Sequence, residues 1–179
     1  MFTDVMVDLE TLGQTPGCAL VSIGAVAFNG AKLGPEFYQV VGRQSCLDAG
    51  LFEEEATLVW WKTQPLEAAL AFDQSVNDGR QSIALKVSLE QFRTFLGAFG
   101  PNVRVWGNGA DFDNAILACA HRAAGLKLPW QFWNNRCYRT VKNLNPRVKL
   151  DRTGVYHNAL DDAKSQARHM LELKKAGVW

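Results

Sequence analysis

The chain has 179 residues, 47% of them apolar and 21% charged, the balance of an ordinary soluble globular protein. No apolar run approaches the roughly 20 residues that a membrane-spanning helix needs, which excludes that class. The net charge of +1 hides an asymmetry, because residues 1–72 hold nine acids against three bases and residues 127–175 hold eleven bases against four acids. That split fits an acidic, cation-gathering end set against a basic surface able to track anions; a solvated helical face carrying Lys164, Arg168, Lys174 and Lys175 explains the basic half equally well.

Along the chain, Asp4–Leu9 is predicted as a strand, with β-branched Val5 and Val7 in an alternating pattern. A loop over Gly13–Gly17 leads to a second strand, Ala19–Phe28, and Asn29-Gly30 signals a hairpin into a third, Glu36–Val41. These three make an antiparallel meander. Helical spacing follows over Glu53–Lys62, where Ala56, Val59 and Trp60 form the apolar stripe. Pro65 opens a further segment through Phe72, and Gly79-Arg80 is loop. Ser88 is the expected N-cap of a helix over Leu89–Phe99, whose face is Phe92, Phe95, Leu96 and Phe99, and Gly100-Pro101 stops it. Val103–Trp106 is a short strand, Phe112–Ala124 a helix closed by Gly125, and Asn158–Ala176 a last helix closed by Gly177. The alternation of strands and helices after the meander predicts a mixed α/β sheet.

With no repeat, low-complexity tract or linker, the sequence reads as one domain over residues 1–179. Cys18, Cys46, Cys119 and Cys137 lack the paired spacing of a zinc or redox centre. The N-terminus has neither the basic region nor the cleavage site of a secretory signal, so a cytoplasmic location and free thiols are expected.

Acidic residues recur in apolar surroundings at three places: Asp8-Leu9-Glu10-Thr11, Asn108-Gly109-Ala110-Asp111-Phe112-Asp113, and His157-Asn158-Ala159-Leu160-Asp161-Asp162. Carboxylates set against a core are costly unless compensated, and a pair of divalent cations compensates several at once. Asp8 and Glu10, two apart on a strand, project from one face roughly 7 Å apart. Asp113 opens a helix after a Gly-containing turn, where it or Asp111 could simply be a cap. Asn108-Gly109 allows close backbone approach to a ligand. His157 lies beside an acidic pair and has a suitable pKa for a base at neutral pH; a lone histidine is more often structural.

The three clusters, in this order, resemble the motifs of the DEDD superfamily of 3′-to-5′ exonucleases, in its histidine-containing (DEDDh) branch. Asp8-Leu9-Glu10-Thr11 resembles the first motif, Asn108 through Phe112-Asp113 the second, and His157 through Asp162 the third. The wider text, including Trp60-Trp61-Lys62 and Val105-Trp106-Gly107-Asn108-Gly109, is similar to exonuclease VIII-like proteins, with no departure at the core positions. The resemblance implies a ribonuclease H-like α/β fold: a mixed sheet, the meander plus parallel strands, flanked by helices. It implies two Mg²⁺ or Mn²⁺ ions held by Asp8, Glu10, Asp113 and Asp162, about 3.5–4 Å apart, with His157 as general base. The oxygen-rich set, without Cys, favours those ions over Zn²⁺.

Around this core, Thr11, Leu12 and Gly13 are expected to meet the terminal nucleotide, with Asn108 and Arg139 as further substrate contacts. Trp61 is expected at the site to stack a base, with Trp60 inside the core. Arg136, Arg139 and Lys142 could hold phosphates or be solvated surface. The expected partner is single-stranded or 3′-ended nucleic acid, with DNA slightly favoured over RNA. A binding module without catalysis would require a lost carboxylate, and none is lost. Relatives imply a homodimer, for which Trp130, Phe132, Trp133 and Trp179 are interface candidates if they are not core.

Overall fold

Residues 20–28 are buried without exception, and that continuity, rather than alternation, marks a strand covered on both faces. The computed structural model of the chain describes residues 2–77 and 81–179, and the loop expected at Gly79-Arg80 lies outside the described residues. Strands β1 (Asp4–Thr11), β2 (Leu20–Phe28) and β3 (Leu33–Val40) form the antiparallel meander. The β2–β3 hairpin is closed by Asn29, whose Oδ1 accepts from the amides of Ala31 and Lys32, each at 3.0 Å. β4 (Arg104–Gly107) runs parallel to β1, and β5 (Asn135–Cys137) parallel to β4, so the sheet order is β3-β2-β1-β4-β5.

Seven helices surround the sheet among the described residues: α1 (Arg43–Asp48), α2 (Glu55–Lys62), α3 (Leu66–Asn77), α4 (Leu85–Gly97), α5 (Asp113–Ala123), α6 (Tyr138–Leu144) and α7 (Ala159–Lys175). Two apolar clusters divide the molecule. Val5, Val7 and Leu9 of β1 join Trp61, Phe92 and Ile116 in the larger one. Met6 joins Tyr138, Ala163, Ala167 and Met170 in the smaller one, under α6 and α7. By the period of two along a strand, Asp8 and Glu10 share the face of Met6, so they emerge toward α7. No described helix is long and apolar enough to cross a membrane. The four cysteines are free.

Several elements depart from what the sequence predicts. α1, β5 and α6 are not expected from it: each has seven residues or fewer, too short for periodicity to register. α4 begins earlier than its expected cap. Ser88 is 0% exposed inside the helix, its hydroxyl donating to the Ile83 carbonyl at 3.2 Å. The first-turn amide of Leu85 instead donates to Ser45 Oγ at 2.8 Å, a partner 40 positions away. In α2 the buried stripe is Thr57 and Trp61, while Val59 is 53% exposed. The two tryptophans are therefore reversed: Trp61 is 1% exposed and Trp60 39%. Trp61 stacks on Phe72 with an interplanar angle of 4°, and its indole N–H donates to the Thr11 carbonyl at 2.9 Å, where the β1–β2 register slips between Glu10 and Thr11. A buried indole needs such an acceptor, and Trp61 is the one that finds it. Of the proposed interface aromatics, Trp130 is buried and Trp179 packs on Phe28 and Trp106, so only Phe132 and Trp133 stand out in solvent.

Candidate active site

Four carboxylates meet where β1 ends and α7 begins. The approach of α7 depends on Gly24, which pairs with Asp8 across the β1–β2 ladder. A Cβ at Gly24 would stand 2.1 Å from the Ala159 carbonyl carbon, so only glycine lets the start of α7 lie on the sheet at this level. Asn158 caps α7, its Oδ1 accepting from the amides of Leu160 and Asp161 at 3.1 and 3.2 Å. Asp162 follows in the first turn. One turn further, Gln166 faces the same way and donates from Nε2 to Asp8 Oδ1 at 2.6 Å.

Asp113 enters from the other side and is 1% exposed. It caps nothing: its Oδ1 accepts from the Leu9 amide at 3.1 Å and its Oδ2 from the Asn108 amide at 2.6 Å, joining β1 to the turn after β4. Gly107 makes room for it, since a Cβ there would lie 2.9 Å from Asp113 Cβ. Asp111 is exposed, and Phe112 occupies the cap position of α5 without a side-chain bond.

Glu10 is 7% exposed, and among the described residues no donor bonds its carboxylate. Burial, followed by the charges of Asp8, Asp162 and Asp113, holds it well above the usual carboxylate range. Asp8 is raised likewise by burial and then by Asp113 and Asp162, against the opposing pull of Gln166 and Arg152. Asp113 is pushed up to about 6 by burial, although the Asn108 and Leu9 amides work the other way. Asp162 is raised by burial, opposed by Arg152 and the His157 amide. Four carboxylates raised at one point form a strongly cation-seeking set. The donors are hard oxygens, so the set fits Mg²⁺ or Mn²⁺.

His157 reaches this cluster from the loop before α7. Its backbone is left-handed, with φ 62°, uncommon for a residue other than glycine. Its amide donates to Asp162 Oδ2 at 3.0 Å. The ring stands edge-on to Trp60 and Tyr156, with centroids at 4.9 and 4.1 Å. Burial lowers its pKa below the usual imidazole value, with Arg152 acting the same way and Asp162 opposing. Ligand atoms of Glu10, His157 and Asp162 lie within 4.8 Å of one another. The neighbouring Asp161 serves structure: its Oδ2 accepts from the Val155 amide at 2.9 Å.

A cleft of about 420 Å³ opens on these groups, the size of a small-ligand site. Asp8, Glu10, His157 and Asp162 line it, as do Thr11, Gly13 and Asn108. Asp113 lies behind that wall. Leu12, expected to touch substrate, is 0% exposed, its amide spent on Ala19 and its carbonyl on the Glu54 amide, so it belongs to the core. Trp61, expected as a stacking platform, underlies the cleft and holds the Thr11 carbonyl; Trp60 presents its surface instead. Arg139 is exposed and does not line the cleft; its Nη2 donates to the Asn108 carbonyl at 2.6 Å and braces the turn.

Three contributors are not expected from the sequence. Gln166 is within reach of sequence reasoning, being four residues after Asp162 on one helix. Arg152, which pairs with Asp162 Oδ1, and Tyr156 lie in an irregular loop with no periodicity to place them.

The family described as 3′-5′ exoribonuclease Rv2179c-like domain matches residues 3–174. No curated protein sequence matches the chain. Among solved structures, the nuclease domain of 3′hExo, a DEDDh family member bound to rAMP, superposes with a TM-score of 0.67 at 14% identity, covering 98% of this chain and 94% of that one. The Mg²⁺- and Mn²⁺-bound form of S. pombe Pop2p gives 0.66 at 12% identity, covering 97% and 83%. A 3′-exonuclease recognising the histone mRNA stem-loop gives 0.59 at 14%, covering 99% and 84%. At such identities the likeness is one of fold, and it is the expected ribonuclease H-like fold.

Proposed function

The chain belongs to the Rv2179c-like 3′-5′ exoribonuclease domain family, and on that premise we propose that it trims RNA from the 3′ end by metal-dependent hydrolysis in the cleft at the end of β1. The observation that carries this reading is Glu10: a carboxylate only 7% exposed, without a donor among the described residues, in a cluster with Asp8, Asp113 and Asp162. A carboxyl in that state ionises readily only when a cation joins it. Asp8, Glu10, Asp113 and Asp162 would hold two Mg²⁺ or Mn²⁺ ions, the metals bound in the Pop2p structure. When bound, such ions activate water as Lewis acids and offset charge on the phosphate.

The chain's own residues supply the rest. His157 accepts the proton of the attacking water; burial keeps its ring neutral at physiological pH, and among the described residues nothing bonds the ring nitrogens. Gln166 orients Asp8, and the Asn108 and Leu9 amides orient Asp113. Thr11, Gly13 and Asn108 meet the terminal nucleotide, with Asn108 Oδ1 buried and, among the described residues, unpartnered at the cleft. Trp60, rather than Trp61, offers the stacking surface.

The slight sequence-based preference for DNA gives way to RNA for two reasons. The family is described as exoribonucleases, and of the structural neighbours one is bound to rAMP and another recognises an mRNA stem-loop. Matched 5′-labelled single strands of RNA and DNA, with Mg²⁺ or Mn²⁺ and with excess chelator, test both the metal and the substrate. The expected result is a metal-dependent ladder on RNA that shortens from the 3′ end, with slower cleavage of DNA. Cleavage that persists in chelator, or immediate release of the labelled 5′ nucleotide, would overturn the reading. A homodimer belongs to the same proposal, resting now on Phe132 and Trp133, which are 72% and 61% exposed; light scattering of the Phe132→Ser, Trp133→Ser double variant should report a monomer.

A further inference from the structure

Arg152 stands out because it is a cation already seated on the cation-seeking cluster. Its Nη1 pairs with Asp162 Oδ1, and its guanidinium lies over the Tyr156 ring, 4.4 Å from the centroid. Arg152 lines the cleft and its side chain is 41% exposed, whereas that of Asp162 is 10% exposed. Asp162 is thus doubly engaged, by Arg152 on one oxygen and the His157 amide on the other, while Glu10 beside it has no donor among the described residues. The charge count gives the arrangement its meaning. Four carboxylates are cancelled by two divalent ions, so in the loaded cleft the guanidinium charge has no carboxylate left to serve. The group that then enters is a phosphodiester, whose oxygens match the fork of an arginine.

Resting on the metal-dependent reading above, we propose that Arg152 is a hand-over residue: it holds Asp162 until a divalent ion takes that carboxylate, and then binds the phosphate of the terminal nucleotide. Tyr156 is the pivot. The ring contact does not involve Asp162, so it keeps the guanidinium at the cleft wall after the ion pair opens. The protein then binds metal against a built-in competitor, and the same competitor becomes a substrate contact.

The test reads metal and nucleotide binding separately from turnover. Mn²⁺ is titrated calorimetrically into the metal-free full chain at pH 7.5, for wild type, Arg152→Met and Arg152→Lys. Adenosine 5′-monophosphate is then titrated into the Mn²⁺-loaded proteins. Arg152→Met keeps the stem and removes the charge, so it should bind Mn²⁺ about fivefold more tightly, the worth of a part-exposed ion pair. It should bind the nucleotide on the order of tenfold more weakly, because a charged hydrogen bond is lost. Arg152→Lys should bind Mn²⁺ as wild type does and still lose nucleotide affinity, since an ammonium lacks the planar fork that stacks on Tyr156. Unchanged or weaker Mn²⁺ binding by Arg152→Met would overturn the proposal and leave Arg152 a tether of its loop. Unchanged nucleotide affinity in either variant would overturn it as well. A wild type that binds no Mn²⁺ at all fails differently, because it removes the metal-dependent reading itself. If Arg152→Met does not fold, the nucleotide affinity of Arg152→Lys at wild-type melting temperature decides.

Discussion

The two sides of the cleft are built in opposite ways. Asp8 and Glu10 sit on β1 opposite Gly24 and Ser22 of β2, and that ladder sets their positions before any ligand arrives. His157 and Arg152 sit in the irregular stretch before α7, held by contacts to Asp162 and to aromatic edges, with one residue in left-handed backbone. The strand side is preorganised and electrostatically loaded; its carboxylates repel one another and are kept together by the fold. The loop side is organised by that load, since Asp162 is the anchor of both His157 and Arg152. On the proposed reading, the rigid half would hold the cations and the adjustable half would manage protons and phosphate.

Removing a charge from the rigid half should have the largest effect. Asp8→Asn keeps an oxygen for Gln166 and should abolish RNA hydrolysis, measured as loss of product at saturating Mn²⁺. The same change should stabilise the metal-free protein. The Asp8 carboxyl is raised in the folded state, so the unfolded chain releases this proton first; the resulting stability is full below the ordinary value of 3.8 and is lost as pH climbs through the raised one. The melting temperature of Asp8→Asn relative to wild type should therefore climb from pH 4 to pH 8. A flat difference would mean that the carboxylates do not strain the fold. Asp113→Asn is the poorer probe, because both oxygens of Asp113 accept amides and an amide nitrogen would face one of them.

On the adjustable half the loss should be partial. His157→Ala is expected to cut turnover by roughly 10²–10⁴-fold while leaving Mn²⁺ binding nearly intact. Wild-type turnover should rise with pH through an inflection below 6.5, the direction in which burial moves the imidazole, and the variant should lack it. Near-wild-type turnover in a folded His157→Ala protein would remove the base and leave the cation site standing.

The two tryptophans that back the loop should separate stability from turnover. Trp61→Ala should cost about 3–5 kcal/mol of stability in chemical denaturation, since it empties a stacked core position and orphans the Thr11 carbonyl. Trp60→Ala should cost under about 1 kcal/mol yet slow hydrolysis severalfold, because the His157 ring loses a wall and the substrate loses a stacking surface. Equal destabilisation by both would erase the difference between core and cleft that the structure draws.

That four carboxylates and a histidine belong to one candidate site was legible in the sequence because their signals are local, and the structure brings them together. An acid inside an apolar strand, an acid after a glycine turn, and a histidine five residues before an acid at a helix start can each be read within a dozen residues. The meander, the strand carrying Asp8 and Glu10, and the helix carrying Asp162 were legible for the same reason: period and turn chemistry are short-range properties. What remained hidden depended on partners far along the chain. Ser45 rather than Ser88 meets the first turn of α4, and Trp61 rather than Trp60 goes inside because Thr11, 50 positions earlier, offers a carbonyl. Leu12 and Arg139 left the substrate-contact set because a backbone amide and a guanidinium were claimed by Ala19 and Asn108. Arg152 entered the cleft, and Gly24 became the seat of α7, for reasons no neighbour in sequence carries. Residue type and spacing determined which chemistry the chain holds; the close approach of distant segments, limited by steric fit and by the need of each buried polar group for a partner, decided which side chains reach it.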